Sequence, residues 1–123
     1  MFFKTVYKNI KPYTTKDGSI IRELLHPDIH GNKNQSLAEA IIPVGAETIL
    51  HKHMKSEEIY HVIEGSGFMT FGNEQFDVKE GDTLCIPSGK PHRIKNIGTI
   101  PLKILCCCSP PYSHNDTELL AQD

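Results

Sequence analysis

The fold of this chain is decided by residues 45–65, which read GAETILHKHMKSEEIYHVIEG. The informative positions of this stretch are Gly45, His51, His53, Glu58 and Gly65. Successive residues of a strand point to opposite faces, so His51 and His53 share a face and their rings can reach one point. The stretch therefore predicts a strand that presents two metal-ligand side chains to the same side.

A second block, residues 81–96, reads GDTLCIPSGKPHRIKN and adds a third histidine. Its informative positions are Gly81, Pro87, Gly89, His92 and Asn96. Three neutral imidazoles and one carboxylate are ligands that a divalent transition metal prefers, and they leave coordination positions open. The probability that this joint pattern arises by chance is negligible. We predict that one metal ion is bound by His51, His53, Glu58 and His92.

Two adjacent glutamates, Glu57 and Glu58, follow the first pair of histidines. Strand alternation points them to opposite faces, and Glu58 keeps the four-residue gap from His53 and the six-residue gap to Gly65. Tyr60 shares the face of Glu58. Its phenol is a candidate acid or hydrogen-bond donor for catalysis, and a core aromatic is the alternative reading.

The two blocks resemble the two signature motifs of the cupin superfamily, and every fixed position of both motifs is present within Gly45–Asn96. The short distance between the blocks is similar to that of small single-domain members. The resemblance implies an all-β fold, a single jelly-roll β-barrel, with the metal held by His51, His53, Glu58 and His92. We expect one domain over residues 1–123, with a metal-motif core at 45–96 and a short tail at 110–123.

The remaining sequence reads as short β runs separated by turn residues, which also indicates a sandwich or barrel. The predicted strands are Thr5–Ile10, Ser19–Leu25, Leu37–Pro43, Thr48–His53, Glu58–Glu64, Gly67–Phe71, Gln75–Val78, Thr83–Ile86, His92–Asn96 and Leu102–Cys108. We predict a loop at His26–Asn34. The tail is the one helical candidate, because Ser113 and Asp116 are spaced as a capping box before Leu119.

Composition restricts the class of protein. A chain of 123 residues is long enough for one hydrophobic core and too short for two. A formal net charge of −2 gives no electrostatic basis for binding nucleic acid or an anionic membrane. No apolar run reaches the length of a membrane span or of a signal peptide. We therefore expect a cytoplasmic protein that binds neither nucleic acid nor membrane.

Three of the four cysteines are contiguous, at 106–108. Neighbours on a strand point to opposite faces and bridge one another poorly, so free thiols are expected. Cys106 and Cys108 share one face and Cys107 lies on the other. Burial as small apolar side chains explains the pair, and a redox-sensitive thiol near the metal is the alternative.

Two polar residues outside the motifs, Arg22 and Gln35, flank strand-like segments and are candidates for binding an anion or carbonyl of the substrate. Exposed surface side chains are the alternative reading. Ile59 and Ile63 make the face opposite Glu58 apolar, which indicates a covered sheet. We expect a homodimer.

The sequence predicts one divalent transition metal and leaves iron, manganese, zinc, nickel and cobalt open as its identity. Three functions compete for a metal with open positions that holds a small organic molecule. The first is an oxygenase. The second is an isomerase, cyclase or lyase in which the metal polarises a carbonyl of a sugar-type or similar substrate. The third is ligand binding without turnover. The fold alone does not decide among these three functions.

Overall fold

Two antiparallel sheets enclose the core in the computed structural model, which describes residues 3–120. Their strands are β1 Tyr13–Thr14, β2 Ile20–Leu25, β3 Ser36–Ile42, β4 His51–His53, β5 Glu57–Glu64, β6 Ser66–Phe71, β7 Glu74–Lys79, β8 Thr83–Ile86, β9 His92–Asn96, β10 Leu102–Ser109 and β11 Thr117–Leu119. One sheet has the order β1-β2-β3-β10-β5-β8, and the other has the order β11-β4-β9-β6-β7. The all-β, single-barrel prediction is confirmed.

The strand order brings together segments that are distant in sequence. β4 comes from the first motif block and β9 from the second, and they pair antiparallel with His51 opposite His92. β5, which carries Glu58, belongs to the facing sheet and pairs with β8 and β10. The two sheets therefore present the motif side chains to one another across the interior.

Side-chain alternation produces the core. Burial alternates along β5 from Glu57 to Ile63 and along β10 from Leu102 to Cys108. The largest apolar side chains that are fully buried are Met69, Ile86, Ile94, Leu102 and Ile104. Removal of each from water contributes about 1.5–3 kcal/mol. The predicted faces of the cysteine run are confirmed, since Cys106 and Cys108 are buried and Cys107 is half-buried, and all four cysteines are free thiols.

The strand predicted at Thr5–Ile10 is wrong. A 3-10 turn occupies Tyr7–Asn9 instead. The segment is held by side chains rather than by a strand ladder: Thr5 Oγ1 donates to Leu24 O, and Tyr7 OH donates to Glu39 Oε1.

The helical candidate in the tail does not form an α-helix. Ser113 does act as a cap, accepting from Asn115 N, but only for a 3-10 turn at His114–Asp116. Asp116 accepts hydrogen bonds from Lys55 N and Ser56 N instead of closing a capping box. The chain then continues as β11, which pairs with β4. Pairing with the edge strand β4 stabilises the tail as a strand more than helix formation would, because so short a helix is only marginally stable.

Two further boundaries differ from the prediction. The loop predicted at His26–Asn34 contains a single helical turn, Pro27–His30, capped when the His26 ring accepts from Asp28 N. Of the strand predicted at Thr48–His53, only the C-terminal half is a strand, namely β4. Within residues 3–120 there is no helix long and apolar enough to span a membrane.

Candidate metal centre

Three histidines converge at the interior end of β4 and β9. One ring nitrogen from each of His51, His53 and His92 lies within 4.8 Å of the others. All three side chains are buried, with His92 fully inaccessible at 0% exposure. The alternation within β4 and the pairing of His51 with His92 produce this convergence. The cluster has the ligand type and count of an open metal site.

The other nitrogen of each ring faces a hydrogen-bond acceptor. His51 Nδ1 lies 2.6 Å from Ile49 O, and His92 Nδ1 lies 2.9 Å from Lys90 O. His53 Nδ1 lies 3.0 Å from Thr117 Oγ1, whose own proton is donated to Ser113 O. Each Nδ1 therefore carries the proton, and each Nε2 keeps a lone pair for a metal. Such partners orient metal-binding imidazoles and raise their basicity.

Two carboxylates face these Nε2 atoms. Glu58 Oε1 lies 3.1 Å from His53 Nε2 and 3.4 Å from His92 Nε2, and Asp17 Oδ2 lies 3.4 Å from His51 Nε2. The second oxygen of Asp17 accepts from Ser19 N and Ser19 Oγ, which fixes the carboxylate in the turn. The centre thus has a carboxylate on each side of the three rings.

The donor set fits a divalent cation. With each Nδ1 protonated, a neutral imidazole would direct a lone pair at a carboxylate oxygen, which is repulsive. His92 Nε2 is buried and makes no hydrogen bond within the described chain. The arrangement calls for positive charge between the rings and the carboxylates. A proton on His53 supplies it in the metal-free protein, and a bound metal would supply it for all three rings.

The pKa values of the centre agree with this account. Burial lowers the pKa of His53, but the hydrogen bond and negative charge of Glu58 outweigh it and raise the pKa above its usual value. Burial raises the pKa of Glu58, but contact with His53 and then His92 holds it well below its usual range. Burial and the nearby His92 lower the pKa of His51. Glu58 is therefore a carboxylate throughout the neutral range.

Thiol and phenol groups border the centre from β5 and β10. Cys108 Sγ donates to Glu58 Oε2 at 3.4 Å, so both oxygens of that carboxylate are engaged. The Tyr60 ring packs edge-on against His92, with 5.9 Å between centroids. Burial, followed by the charge of Glu58, raises the pKa of Cys106, Cys108 and Tyr60. These groups remain protonated donors and are not nucleophiles.

Two of the three histidines, His51 and His53, line a narrow cavity together with Glu58. Its walls include Asp17, Glu23, Tyr60 and Tyr112, together with small side chains of β2, β3 and β10. The space for the centres of water-sized molecules is about 40 Å³, which is room for a few waters or a small ligand group. Three carboxylates and no lysine or arginine line this cavity in the described part of the chain. A bound metal would be its main positive charge.

The predicted site residues separate into two groups. Glu58 and Tyr60 lie with the three histidines, and Glu57 is exposed on the opposite face as expected. Glu58 as a fourth ligand and Tyr60 as a catalytic group stay predictions. Arg22 and Gln35 do not reach the cavity. Arg22 pairs with Glu39 at 3.3 Å and covers the Tyr7 ring, and Gln35 is exposed.

Sequence reasoning missed Asp17 and Thr117. Asp17 stands in an Asp-Gly pair, for which the sequence indicates only a turn. Thr117 lies in the tail segment predicted as helix. No local signal places Asp17 at the centre, because it is distant from the motif histidines in sequence. No local signal identifies Thr117 either, because its contact with His53 spans 64 residues.

Comparison with known proteins identifies relatives over most of the chain. A family model described as a cupin domain matches residues 38–108. The chain is 67% identical over 117 residues to protein MJ1618 of Methanocaldococcus jannaschii, which covers 95% of this chain and 94% of that one. It is 31% identical over 116 residues to polyketide synthase CurC of Streptomyces cyaneus, with coverage of 90% and 75%.

Among solved structures, a predicted oxalate decarboxylase from Thermotoga maritima superposes with a TM-score of 0.75 at 26% identity, covering 89% of this chain and 99% of that one. Other matched chains are much longer, and this chain spans only 19% of one and 34% of another. The relatives therefore agree on architecture and differ in the chemistry that their names state.

Proposed function

Because the chain belongs to the cupin family, we propose that it is a metal-dependent enzyme acting on a small uncharged carbonyl compound. The metal is held by His51, His53, His92 and Glu58, and the reaction is a proton transfer of the isomerase, cyclase or lyase type. The observation that carries this proposal is the convergence of three Nε2 atoms beside a second carboxylate, Asp17, that the ligand set does not require.

A divalent metal in this centre would supply Lewis acidity, which makes a C–H bond beside a coordinated carbonyl easier to deprotonate. Asp17 Oδ2 lies next to His51 Nε2 and is the carboxylate positioned to accept that proton. Ser19 holds the other Asp17 oxygen, so the acceptor atom is oriented before the substrate binds. The protonated Tyr60 phenol is a donor on the same cavity wall.

The oxygenase alternative has less support from this geometry. An oxygenase would use Asp17 only to deprotonate a chelating substrate, whereas proton transfer makes this carboxylate the reacting group. We therefore rank Lewis-acid chemistry first for this chain.

The charges of the cavity favour an uncharged substrate. Asp17, Glu23 and Glu58 contribute negative charge, and the walls contain no lysine or arginine among the described residues. An anion bound away from the metal would meet only like charge. The relative CurC, which is 31% identical to this chain, is named a polyketide synthase.

The test is deuterium exchange from heavy water into a panel of uncharged ketones, followed by proton NMR with zinc-loaded protein under nitrogen. We expect exchange with the wild type and at least a ~100-fold loss in Asp17→Asn. The asparagine can still accept from Ser19, and retained zinc in this variant is verified by elemental analysis. Asp77→Asn, an exposed carboxylate on β7, is the control.

Two results would contradict the proposal. One is turnover that requires oxygen and iron and is unchanged in Asp17→Asn, which would favour the oxygenase. The other is retention of a co-purified ligand with no exchange or oxygen uptake across the panel, which would favour binding without turnover.

A further inference from the structure

Glu23 on β2 is a buried carboxylate with only one of its oxygens engaged. Its residue exposure is 7%, and Tyr13 OH donates to Oε1 at 2.8 Å. Glu23 Oε2 is buried and makes no hydrogen bond within the described chain. Buried polar atoms are nearly always paired, because an unpaired one carries the full cost of desolvation. A donor for Oε2 therefore comes from outside residues 3–120, and a ligand, or a water that a ligand displaces, is the donor that the position of Glu23 favours.

The position of Glu23 makes a ligand the relevant donor. Tyr13, Glu23 and Tyr112 line the metal cavity, and the same three residues line an outer groove of about 430 Å³. The groove continues along His26, His114 and neighbouring residues. The three shared residues stand between the two spaces, and we name them the neck. A molecule that passes from the groove to the metal meets the free oxygen of Glu23.

Glu23 is held in place by its partner. Burial raises the pKa of Tyr13, and the hydrogen bond to Glu23 raises it further, so the phenol stays a donor. The Tyr112 hydroxyl lies 3.0 Å from Thr15 Oγ1 and 3.0 Å from His114 Nδ1, which fixes the opposite side of the neck. A rigid acceptor loses little entropy when it binds a donor.

We propose that Glu23 Oε2 accepts a hydrogen bond from a hydroxyl group of the ligand whose carbonyl end reaches the metal. This inference rests on the proposed function and narrows its substrate class to hydroxylated carbonyl compounds, with the hydroxyl at the neck. Glu23 is a specificity residue in this account. A ligand without the donor would leave a carboxylate oxygen desolvated and unpaired, which is the strongest form of rejection by a binding site.

The chain contains a matched control for this test. Glu39 on β3 is exposed by 7%, as Glu23 is, and its Oε1 also accepts from a tyrosine hydroxyl, that of Tyr7. Glu39 lines neither the metal cavity nor the outer groove. A Glu39→Gln variant therefore reports the general effect of removing a buried carboxylate charge near these strands.

The experiment measures binding of chelating hydroxypyranones to the zinc-loaded protein by isothermal titration calorimetry. Hydroxymethyl, hydroxyethyl and hydroxypropyl derivatives are compared with the ethyl, propyl and butyl derivatives of equal size. For at least one pair, we expect the hydroxyl compound to bind the wild type about tenfold or more tightly. The preference should disappear in Glu23→Ala, weaken in Glu23→Gln because a neutral amide is a weaker partner than a carboxylate, and persist in Glu39→Gln.

The outcomes separate this inference from the proposed function. Equal affinity within every pair, or a preference that persists in Glu23→Ala, would overturn the role of Glu23 and leave the metal cavity intact as a carbonyl site. Absence of pyranone binding by zinc-loaded protein that still exchanges deuterium into ketones would overturn the inference alone. Absence of both binding and exchange would overturn the proposed function, and the inference would fall with it.

Discussion

At the scale of single residues, the orientation of each histidine ring in the centre depends on the hydrogen-bond acceptor of its Nδ1 atom. The Nδ1 atoms of the three rings face Ile49 O, Lys90 O and Thr117 Oγ1. The Nε2 atoms are therefore left for a cation. The carboxylates of Glu58 and Asp17 then set how strongly each ring holds a proton when no metal is bound. Proton and metal therefore compete at the same atoms.

This competition predicts the pH dependence of metal binding. The raised pKa of His53 means that the metal-free ring is protonated at pH values somewhat above 6.5. Below that pKa the metal must displace a proton, so its apparent affinity falls as pH decreases, and the fall begins above 6.5. His51, whose pKa is lowered, protonates at lower pH than His53. Zinc titration against a chromophoric chelator between about pH 8 and 5 measures this, and an affinity that stays constant over that range would contradict the ligand assignment.

Thr117 provides a second test at this scale. Thr117→Val removes the acceptor of His53 Nδ1 and keeps the shape of the side chain, so we expect about tenfold weaker zinc binding. Thr117→Ser keeps the hydroxyl and should remain near wild type. The control is Thr83→Val, because Thr83 Oγ1 lies 2.8 Å from His61 Nδ1 on the exposed face. Equal zinc affinity in the valine and serine variants would show that the contact does not position the ring.

At the scale of elements, the centre depends on how strands are joined and covered. β11 supplies Thr117 and pairs with β4 along its whole length, so the tail protects the edge of the strand that carries two ligands. The turn glycines of the two motif blocks have positive φ, as turn roles for them imply. Two of these glycines differ in what surrounds them.

Gly65 and Gly81 allow a matched test of turn geometry. Their φ values are +92° and +93°, but a Cβ on Gly65 would lie 3.0 Å from Leu102 Cα and Pro101 O, whereas a Cβ on Gly81 would meet nothing within 4 Å. We expect Gly81→Ala to lower the free energy of unfolding by about 1–2 kcal/mol and Gly65→Ala to lower it by roughly 3 kcal/mol or more. Urea denaturation compares them. Equal losses would show that backbone strain alone governs both turns.

At the scale of the whole molecule, the outer face of the six-stranded sheet is apolar and open to solvent in the single chain. Ile59 and Ile63 are exposed by 41% and 38% on this face, and Cys85 is opposite Ile59 on β8. Exposed branched apolar side chains on one strand are typical of a subunit contact. We propose that this face joins two copies of the chain about a twofold axis.

The dimer is tested by solution mass. We expect light scattering after size exclusion to report twice the chain mass for the wild type at micromolar concentration and a monomer for Ile59→Glu combined with Ile63→Glu. Ile97→Glu makes the same replacement of an exposed isoleucine by glutamate, but outside this face, and should leave the dimer intact. A monomeric wild type at that concentration would overturn the proposal.

Much of the centre could be predicted from sequence because its information is local. The residues His51 and His53 share a face through the period of a strand, and Glu58 and Tyr60 share one for the same reason. The spacing of the motif glycines indicates the turns. The all-β class follows from short alternating runs, and the jelly-roll arrangement from the resemblance of the two blocks.

The tertiary structure decided what depends on distant contacts. The pairing of β4 with β11 converted a predicted helix into a strand, and side-chain contacts with Leu24 and Glu39 replaced the strand predicted at Thr5–Ile10. Asp17, Thr117 and Glu23 join the centre or its neck only because strands far apart in sequence become neighbours. Periodicity fixes the direction of a side chain within its own strand, whereas its partners are set by the order of strands in the two sheets, which no local pattern encodes.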